Sequence, residues 1–274
     1  MLFYSARFNE EILLMRFKLI LSLTDRKQNT LPVNYQYQLS ECINKLINQS
    51  DPGFTAWLQD KGFLDVKKHF RLYTFSNLNV RHREIIGDRL TVKSDPVELL
   101  ISTLPDETIQ HFISDIFRSR KFTLADRVSG AGFKITSIEA VPDPFFTDEM
   151  TFRSLSPIFV SQKIEGRKHA KYLSPADEGY IQLIIENLKE KLRVFTGQVS
   201  SFDTQDATLE LVSSPKQKGS TIKVGTLRET RLVGYHYNFK IKADKDLLRI
   251  GYFCGFGEKG SQGFGCCENL DGIR

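Results

Sequence analysis

The feature that most constrains this chain is a run of glycines near its C-terminal end. Five glycines fall among the eleven residues from Gly255 to Gly265, together with a single cation, Lys259. Glycine is favoured where the backbone needs a positive φ angle or must approach another group closely. Successive exposed N–H groups in such a loop form a concave anion site, so we predict a phosphate-binding loop. The alternative is a long tight turn packed under a sheet.

Two familiar phosphate loops do not fit this run. A Walker loop requires Gly-Lys-Ser/Thr at the start of a helix, whereas Lys259 is followed by Gly260. The dinucleotide-binding fingerprint requires a strand before the glycines and a helix after them. Here residues 244–253 have a helical pattern, and residues 266–270 are too few for a crossover helix. The glycine run therefore lies between a helix and a short strand.

The order helix, G-x-G-E-K-x-x-x-G-F-G and short strand resembles the signature loop of the RAMP superfamily. It is most similar to the CRISPR repeat-specific endoribonucleases, which cut precursor CRISPR RNA into guide units. Three further stretches resemble that family: residues 31–39 before an amphipathic helix, 71–78 (R-L-Y-T-F-S-N-L) and 151–158 (T-F-R-S-L-S-P-I). The resemblance spans residues 15–270 and implies an α+β fold of two tandem ferredoxin-like (RRM-like) domains.

Hydrophobic periodicity indicates the same α+β organisation. Two prolines at positions 142 and 144 mark the best domain boundary. We predict an N-terminal extension over 1–14 and domains over 15–141 and 145–274, the second with the glycine-rich loop 255–265. The predicted helices have apolar side chains at 39–47, 54–58, 109–117 and 181–192 (opening at 174–178), and a further short helix is predicted over 244–253 with Asp244 as its cap. The predicted strands cover 17–23, 70–76, 89–92, 98–102, 133–141, 152–160, 207–212 and a long 233–242.

The charge distribution favours an RNA partner. The 274 residues carry a net charge of +5, and basic side chains cluster at 67–71, 81–83, 163–171 and 216–223. Each cluster lies in or beside a predicted loop, and positive loops interleaved with aromatic residues are typical of RNA-binding surfaces. No apolar run approaches the ~20 residues of a membrane span. Residues 1–14 lack a signal-peptide layout, so we expect a cytoplasmic protein without a membrane partner.

The resemblance implies RNA cleavage without a metal or other cofactor, and the four cysteines have no metal-ligand spacing. A ribose 2′-hydroxyl attacks the adjacent phosphorus, the 5′-oxygen leaves and a 2′,3′-cyclic phosphate remains. The reaction needs a base, an acid and groups that stabilise the phosphate charge. The Tyr and His of many family members are matched here by Asn44 and Gln59, whose amides do not titrate. The family's Lys is matched by Arg71, which cannot act as a base.

A histidine can replace the missing groups. We predict His69 as the catalyst, because it lies in the basic segment 67–71 and shares a strand face with Arg71. His82 and His236 are the alternatives. The predicted RNA contacts are Lys67, Lys68, Arg71, Gly255, Gly257, Lys259, Gly263, Gly265, His236 and Lys240. A bulky residue at Gly257 or Gly263 is expected to weaken RNA binding and to leave the fold intact.

Three functions remain open from the sequence. The first is an endoribonuclease that processes precursor CRISPR RNA with a relocated histidine. The second is a family member that binds repeat or guide RNA without cutting it, as Asn44 and Gln59 suggest. The third is an unrelated RNA-binding protein with two ferredoxin-like halves. The expected partner is CRISPR repeat RNA, while subunits of a CRISPR effector complex and a second copy of the chain also remain open as partners.

Overall fold

Two antiparallel sheets, one from each half of the chain, organise the protein. The computed structural model describes residues 16–50, 63–65, 68–70, 72–104, 121–166, 170–222 and 229–272. Among the helices in these ranges, none is both long and apolar enough to span a membrane.

The first half is built on a five-stranded sheet. Its elements are β1 (Arg16–Leu23), β2 (Thr30–Pro32), α1 (Gln36–Ser50), β3 (Phe63–Asp65), β4 (Lys68–Phe70), β5 (Tyr73–Phe75), β6 (Arg83–Ile86), β7 (Arg89–Val92), β8 (Val97–Thr103), β9 (Lys121–Ala125) and β10 (Gly130–Ala140). Strands β5, β8, β1, β10 and β9 lie side by side in that order. Without the edge strand β9, this is the order of a ferredoxin-like unit.

Helix α1 packs its predicted apolar stripe onto this sheet. Leu39 and Ile43 are 0% and 2% exposed and share a core with Leu19, Leu99 and Phe133 of the strands. Burial of such side chains is the main favourable term in folding. The stripe predicted for this helix is therefore confirmed at Leu39 and Ile43, whereas the side chains at positions 46 and 47 and the helices predicted at 54–58 and 109–117 lie outside the described residues.

The second half repeats the arrangement. Its elements are β11 (Glu149–Ser154), β12 (Ser161–Gln162), β13 (Lys171–Tyr172), α2 (Tyr180–Thr196), β14 (Thr208–Leu211), β15 (Lys216–Ile222), β16 (Thr230–His236), β17 (Asn238–Lys242), α3 (Lys245–Cys254) and β18 (Cys267–Asn269). Strands β14, β17, β11 and β18 form the sheet in that order, again the ferredoxin-like order. Helices α2 and α3 share one core with it. The prediction of two tandem ferredoxin-like halves is confirmed.

The prediction of one long strand over 233–242 is wrong, because the strand is interrupted at Tyr237. Strand β16 pairs with β15 in a separate hairpin, and β17 enters the second sheet. Two hydroxyls permit the break, since Ser154 Oγ accepts from the Tyr237 N–H at 2.9 Å and Ser213 Oγ accepts from the Asn238 N–H at 2.8 Å. His236 and Lys240, predicted on one polar strand face, therefore lie in different sheets.

Other predicted boundaries also differ from the structure. The predicted strand 70–76 is divided between β4, which pairs with β3, and β5, which pairs with β8. The predicted strand 152–160 ends at Ser154, and the basic segment from residue 216 forms strand β15 instead of a loop. Helix α2 begins at Tyr180, because the Asp177 carboxylate accepts from the Ser174 N–H in a preceding turn and Gly179 has a φ angle of 80°.

The two halves are joined by buried polar contacts. Arg16 of β1 is fully buried, its guanidinium stacks 3.8 Å from the centroid of the Tyr252 ring, and it donates to the Cys267 carbonyl. Asn34 exchanges two hydrogen bonds with the backbone of Thr221, at 2.6 and 3.2 Å. Each contact has one partner in each half, so these contacts fix the first half against the second.

Candidate nucleic-acid interface

The glycine-rich loop runs through the seam between the halves and joins α3 to β18. Its residues with positive φ angles are Gly255, Gly257, Lys259, Gly263 and Gly265. A Cβ atom at Gly257 would lie 2.5 Å from the Phe159 carbonyl oxygen, and one at Gly263 would overlap the Phe75 ring. The expectation that a bulky residue at Gly257 or Gly263 leaves the fold intact is therefore wrong, because both glycines allow close packing.

Five of the loop's eleven backbone donors are used inside the protein. The amide of Phe256 donates to Gly265 O, Glu258 to Phe159 O, Gln262 to Lys259 O, Gly263 to Gly260 O and Gly265 to Pro157 O. These five N–H groups are consequently not available to a phosphate. The geometry favours the tight-turn interpretation for this part of the loop, and contact of its glycines with RNA remains a prediction.

Side chains from both halves hold the loop in place. From α2, the buried Lys191 ammonium donates to the Gly255 and Gly257 carbonyls at 2.6 and 2.8 Å. Burial lowers the pKa of Lys191 from 10.5 to about 8. From the first half, Gln36 Nε2 donates to Gly263 O at 2.5 Å and Thr74 Oγ1 donates to Phe264 O at 3.0 Å. The loop is therefore fastened simultaneously to α1, β5 and α2.

Asn44, which stands where the resemblance implies a Tyr, binds a tyrosine from another element. The Tyr73 hydroxyl of β5 donates to Asn44 Oδ1 at 2.7 Å. Sequence reasoning missed this pair because Tyr73 is 29 residues away. The visible signal was the Tyr in R-L-Y-T-F-S, where the related strand has Phe. A phenol is therefore present beside α1, although on a strand and not on the helix.

A cleft of about 340 Å³ opens between the halves next to the loop. It is lined by Val33, Asn34, Tyr35, Gln36, Asn77, Leu78, Arg83, Ile85, Leu90, Pro157, Lys218, Ser220, His236 and Phe264. Arg83 comes from the first half and Lys218 from the second, so the cleft receives one cation from each half. Ile85, beside Arg83, exposes 55% of its surface. Cations next to an apolar surface suit a phosphate chain and its bases.

His236 presents a neutral imidazole to this cleft. Its Nδ1 lies 3.3 Å from Ser154 Oγ, which already accepts the Tyr237 N–H. Burial lowers the pKa of His236 below 6.5 and the nearby Lys218 ammonium lowers it further, while a hydrogen bond to the backbone of Ser154 raises it. If the Ser154 hydroxyl donates to Nδ1, the neutral ring carries its proton on Nε2.

The structure brings together only some of the predicted contacts. His236 lies in the cleft, but Lys240 lies on β17 and pairs with Glu149 at 2.6 Å, away from the cleft-lining residues. His69 and Lys68 lie on β4, where His69 is in register with Leu64 of β3. Lys67, Arg71 and Gln59 fall outside the described residues. Gln36 and Lys218 were not singled out by sequence reasoning, because only the fold brings them beside Arg83.

Two ferredoxin-like halves with a glycine-rich loop in their seam define a RAMP protein. The family model for the Cas6 N-terminal domain (Cas6_I-A) matches residues 30–137, and the model for the CRISPR-associated protein Cas6 C-terminal domain matches residues 139–269. The chain therefore belongs to the Cas6 family of CRISPR-associated proteins. This confirms the resemblance to the CRISPR repeat-specific endoribonucleases.

Relatives in sequence and structure agree with that assignment. The CRISPR-associated endoribonuclease Cas6 1 of Methanocaldococcus jannaschii is 27% identical over 88% of both chains. CRISPR-associated endoribonuclease Cas6 of Pyrococcus furiosus is 26% identical over 92% of this chain and 88% of its own. A Cas6-related protein from Pyrococcus furiosus superposes with a TM-score of 0.79 at 25% identity, over 94% of this chain and 99% of its own. A RAMP protein that binds different RNA substrates has a TM-score of 0.76 at 27% identity, over 94% and 100%.

Proposed function

We propose that the protein is a metal-independent endoribonuclease of the cytoplasm that binds CRISPR repeat RNA and cuts precursor CRISPR RNA into guide units. The observation that carries this proposal is the cleft between the halves, which joins Arg83, Lys218 and His236 within a Cas6 fold. One cation from each half lets a single RNA strand cross the seam. The names of the relatives, which are CRISPR-associated endoribonucleases, support the same activity.

The proposed reaction is attack of the ribose 2′-oxygen on the adjacent phosphorus. The bond between phosphorus and the 5′-oxygen breaks, the 2′-proton goes to a base and the 5′-oxygen takes a proton from an acid. The product is a 2′,3′-cyclic phosphate and a 5′-hydroxyl. His69 on β4 is our candidate for one of these proton transfers, since Asn44 and Gln59 cannot titrate.

A cleavage assay tests the proposal directly. Purified protein is incubated with end-labelled precursor RNA that carries two repeats, once in EDTA and once with Mg²⁺. We expect the same cut within each repeat under both conditions, and a 3′ end that an RNA ligase requiring a 3′-hydroxyl cannot join until the cyclic phosphate is opened and the resulting phosphate is removed. Binding without any cut in either buffer would contradict the endoribonuclease.

The proposed role of His69 predicts a rate effect without an affinity effect. His69→Ala should slow single-turnover cleavage by about 10²–10⁴-fold, the usual contribution of a positioned acid or base. The Kd for repeat RNA should change little. Cleavage by His69→Ala at the wild-type rate would exclude His69 as the catalyst. Alanine variants of His82 and then of His236 would be tested next.

A binding-only protein is the second candidate. It is favoured by Asn44, which in the structure holds the Tyr73 hydroxyl at 2.7 Å instead of supplying a hydroxyl itself. Tight binding of repeat RNA with intact RNA recovered in both buffers would establish this function. Size-exclusion chromatography of the same RNA complex reports whether a second copy of the chain is present, and capture from cell extract reports effector-complex subunits.

A further inference from the structure

Tyr73 brings a hydroxyl to the edge of the first-half core. Its ring packs in the core between α1 and the first sheet, and 8% of its surface is exposed. Its hydroxyl donates to Asn44 Oδ1 at 2.7 Å, and Asn44 is only partly buried. Because the sheet and the core cover the backbone and the ring, the exposed part of Tyr73 is its hydroxyl end. A ligand that lies against α1 can reach this end.

A row of polar side chains on α1 leads from the cleft to this hydroxyl. Gln36, Ser40 and Asn44 are four residues apart and therefore lie on one face of the helix. Gln36 Nε2 donates to Gly263 O, and Ser40 Oγ donates to Ser261 O at 3.4 Å, so this face follows the glycine-rich loop. Asn44 lies about 12 Å further along the helix axis than Gln36.

The glycine-rich loop lies beside Tyr73 at the far end of this row. A Cβ atom at Gly260 would be 3.1 Å from the Tyr73 carbonyl oxygen. Lys259, the single cation of the loop, directly precedes Gly260 in the chain. A cation beside a phosphodiester stabilises the negative charge that develops in its cleavage. A phenol and a cation are therefore available at the same end of the loop.

The phenol suits the role of an acid. A tyrosine has an ordinary pKa of about 10, so its hydroxyl holds a proton at neutral pH. Asn44 Oδ1 orients that hydroxyl, but an amide does not titrate and cannot take the proton. The proton stays available for a group that becomes basic during a reaction, such as the leaving oxygen of a phosphodiester.

We propose that Tyr73 is the catalytic acid and Asn44 its positioning residue, an inference that rests on the endoribonuclease proposed above. The 2′-oxygen forms its bond to phosphorus and gives its proton to a base, for which His69 is the candidate. As the bond between phosphorus and the 5′-oxygen breaks, that oxygen keeps the electron pair and takes the proton of the Tyr73 hydroxyl. The phenolate regains a proton from water after the products leave.

Tyr73→Phe tests the role of the hydroxyl, because it keeps the ring in the core. Single-turnover cleavage of repeat RNA should slow by about 10²–10⁴-fold, while the Kd for the RNA should change little. Tyr180→Phe is the matched control, since the Tyr180 hydroxyl also makes a 2.7 Å contact, with the Tyr237 hydroxyl in the core of the second half. This control should cut at the wild-type rate.

A sulfur leaving group separates an acid from a structural role. In a second RNA, sulfur replaces the 5′-oxygen at the cut position. A thiol is far more acidic than an alcohol, with a pKa of about 8.5 in cysteine, so the thiolate leaves without taking a proton. Tyr73→Phe should therefore cut the sulfur RNA at close to the wild-type rate. Asn44→Ala should likewise lose more rate on the oxygen RNA than on the sulfur RNA.

Two results would overturn the role of Tyr73. The first is cleavage of the oxygen RNA by Tyr73→Phe at the wild-type rate. The second is an equal loss on both RNAs, which would mean that the hydroxyl supports the structure or acts on the 2′-proton. Both results leave the endoribonuclease in place, because the wild-type protein still cuts. If the wild-type protein cuts neither RNA, the proposed function fails and the role of Tyr73 fails with it.

Discussion

Lys191 makes the stability of the fold rise with pH, which is opposite to the effect of a lysine whose pKa is raised by an anionic partner. Its ammonium is 5% exposed and donates to the Gly255 and Gly257 carbonyls. Burial lowers the pKa of Lys191 from 10.5 to about 8, although the nearby Cys254 and Glu258 raise it. In this pH interval the folded protein has released the proton and the unfolded chain still holds it. Unfolding then takes up a proton, so stability rises with pH.

The size of the effect follows from the two pKa values. Each pKa unit corresponds to about 1.4 kcal/mol, and the interval from about 8 to 10.5 therefore amounts to roughly 3 kcal/mol. Urea unfolding of the wild type and of Lys191→Met is measured at steps between pH 7 and pH 10. The difference in free energy of unfolding between the wild type and the variant should increase by roughly 2–3 kcal/mol, in favour of the wild type, from pH 7 to pH 10.

The comparison of two proteins removes titrations that they share. Lys189→Met is the control, because Lys189 lies two residues earlier on α2 and donates to one backbone carbonyl, Phe202 O, at 2.7 Å. It shows the effect of losing a lysine and its hydrogen bond at a different position on the same helix. A difference between wild type and Lys191→Met that stays constant from pH 7 to pH 10 would refute the argument. It would mean that the Lys191 ammonium is solvated in the folded protein and that the loop carbonyls do not depend on it.

Three further predictions concern the loop and the cleft. Gly265→Ala should lower the free energy of unfolding by about 3 kcal/mol or more, because the added Cβ would overlap the Phe256 carbonyl. The control Gly166→Ala also has a positive φ angle but has open space around it, so thermal unfolding should show a loss of about 1–2 kcal/mol. Arg83→Ala and Lys218→Ala should each reduce the slope of log K against log salt for single-stranded repeat RNA by about 0.7; an unchanged slope would remove them from the interface. Because the pKa of His236 lies below 6.5, affinity for RNA should rise as pH falls through that lower value, and less so in His236→Gln.

Local periodicity in the sequence was sufficient for the elements that carry the core. The stripes of α1 and α2 and the alternation of β1 each lie within one segment, so their apolar faces could be identified without knowing the fold. The tandem ferredoxin-like arrangement came from the resemblance, and the strand order confirms it. Side-chain alternation could not reveal the break at Tyr237, because the hydroxyls of Ser154 and Ser213 that satisfy the local amides come from distant positions.

The candidate site was less accessible for the same reason. Gln36, Arg83, Lys218 and His236 share one cleft only because the two sheets meet at the seam. Composition and charge clusters indicated that basic segments contact RNA, but not which members of two separate clusters face each other. The glycine run attracted a phosphate-loop interpretation because its amides looked available. The structure pairs five of them internally, and that pairing depends on carbonyls such as Pro157 O and Phe159 O.

In the proposed RNA complex, the fold and RNA recognition therefore depend on different atoms of the same seam. The glycine-rich loop uses its backbone to join the halves, and its close packing leaves little freedom for substitution at Gly257 or Gly265. Arg83 and Lys218 line the neighbouring cleft from β6 and β15, and neither is among the nearest neighbours of a Cβ atom placed at Gly257 or Gly265. A change of RNA preference can consequently arise on these two strands without loosening the loop. Gln36 is the exception, because it lines the cleft and its Nε2 also supports the loop by donating to Gly263 O.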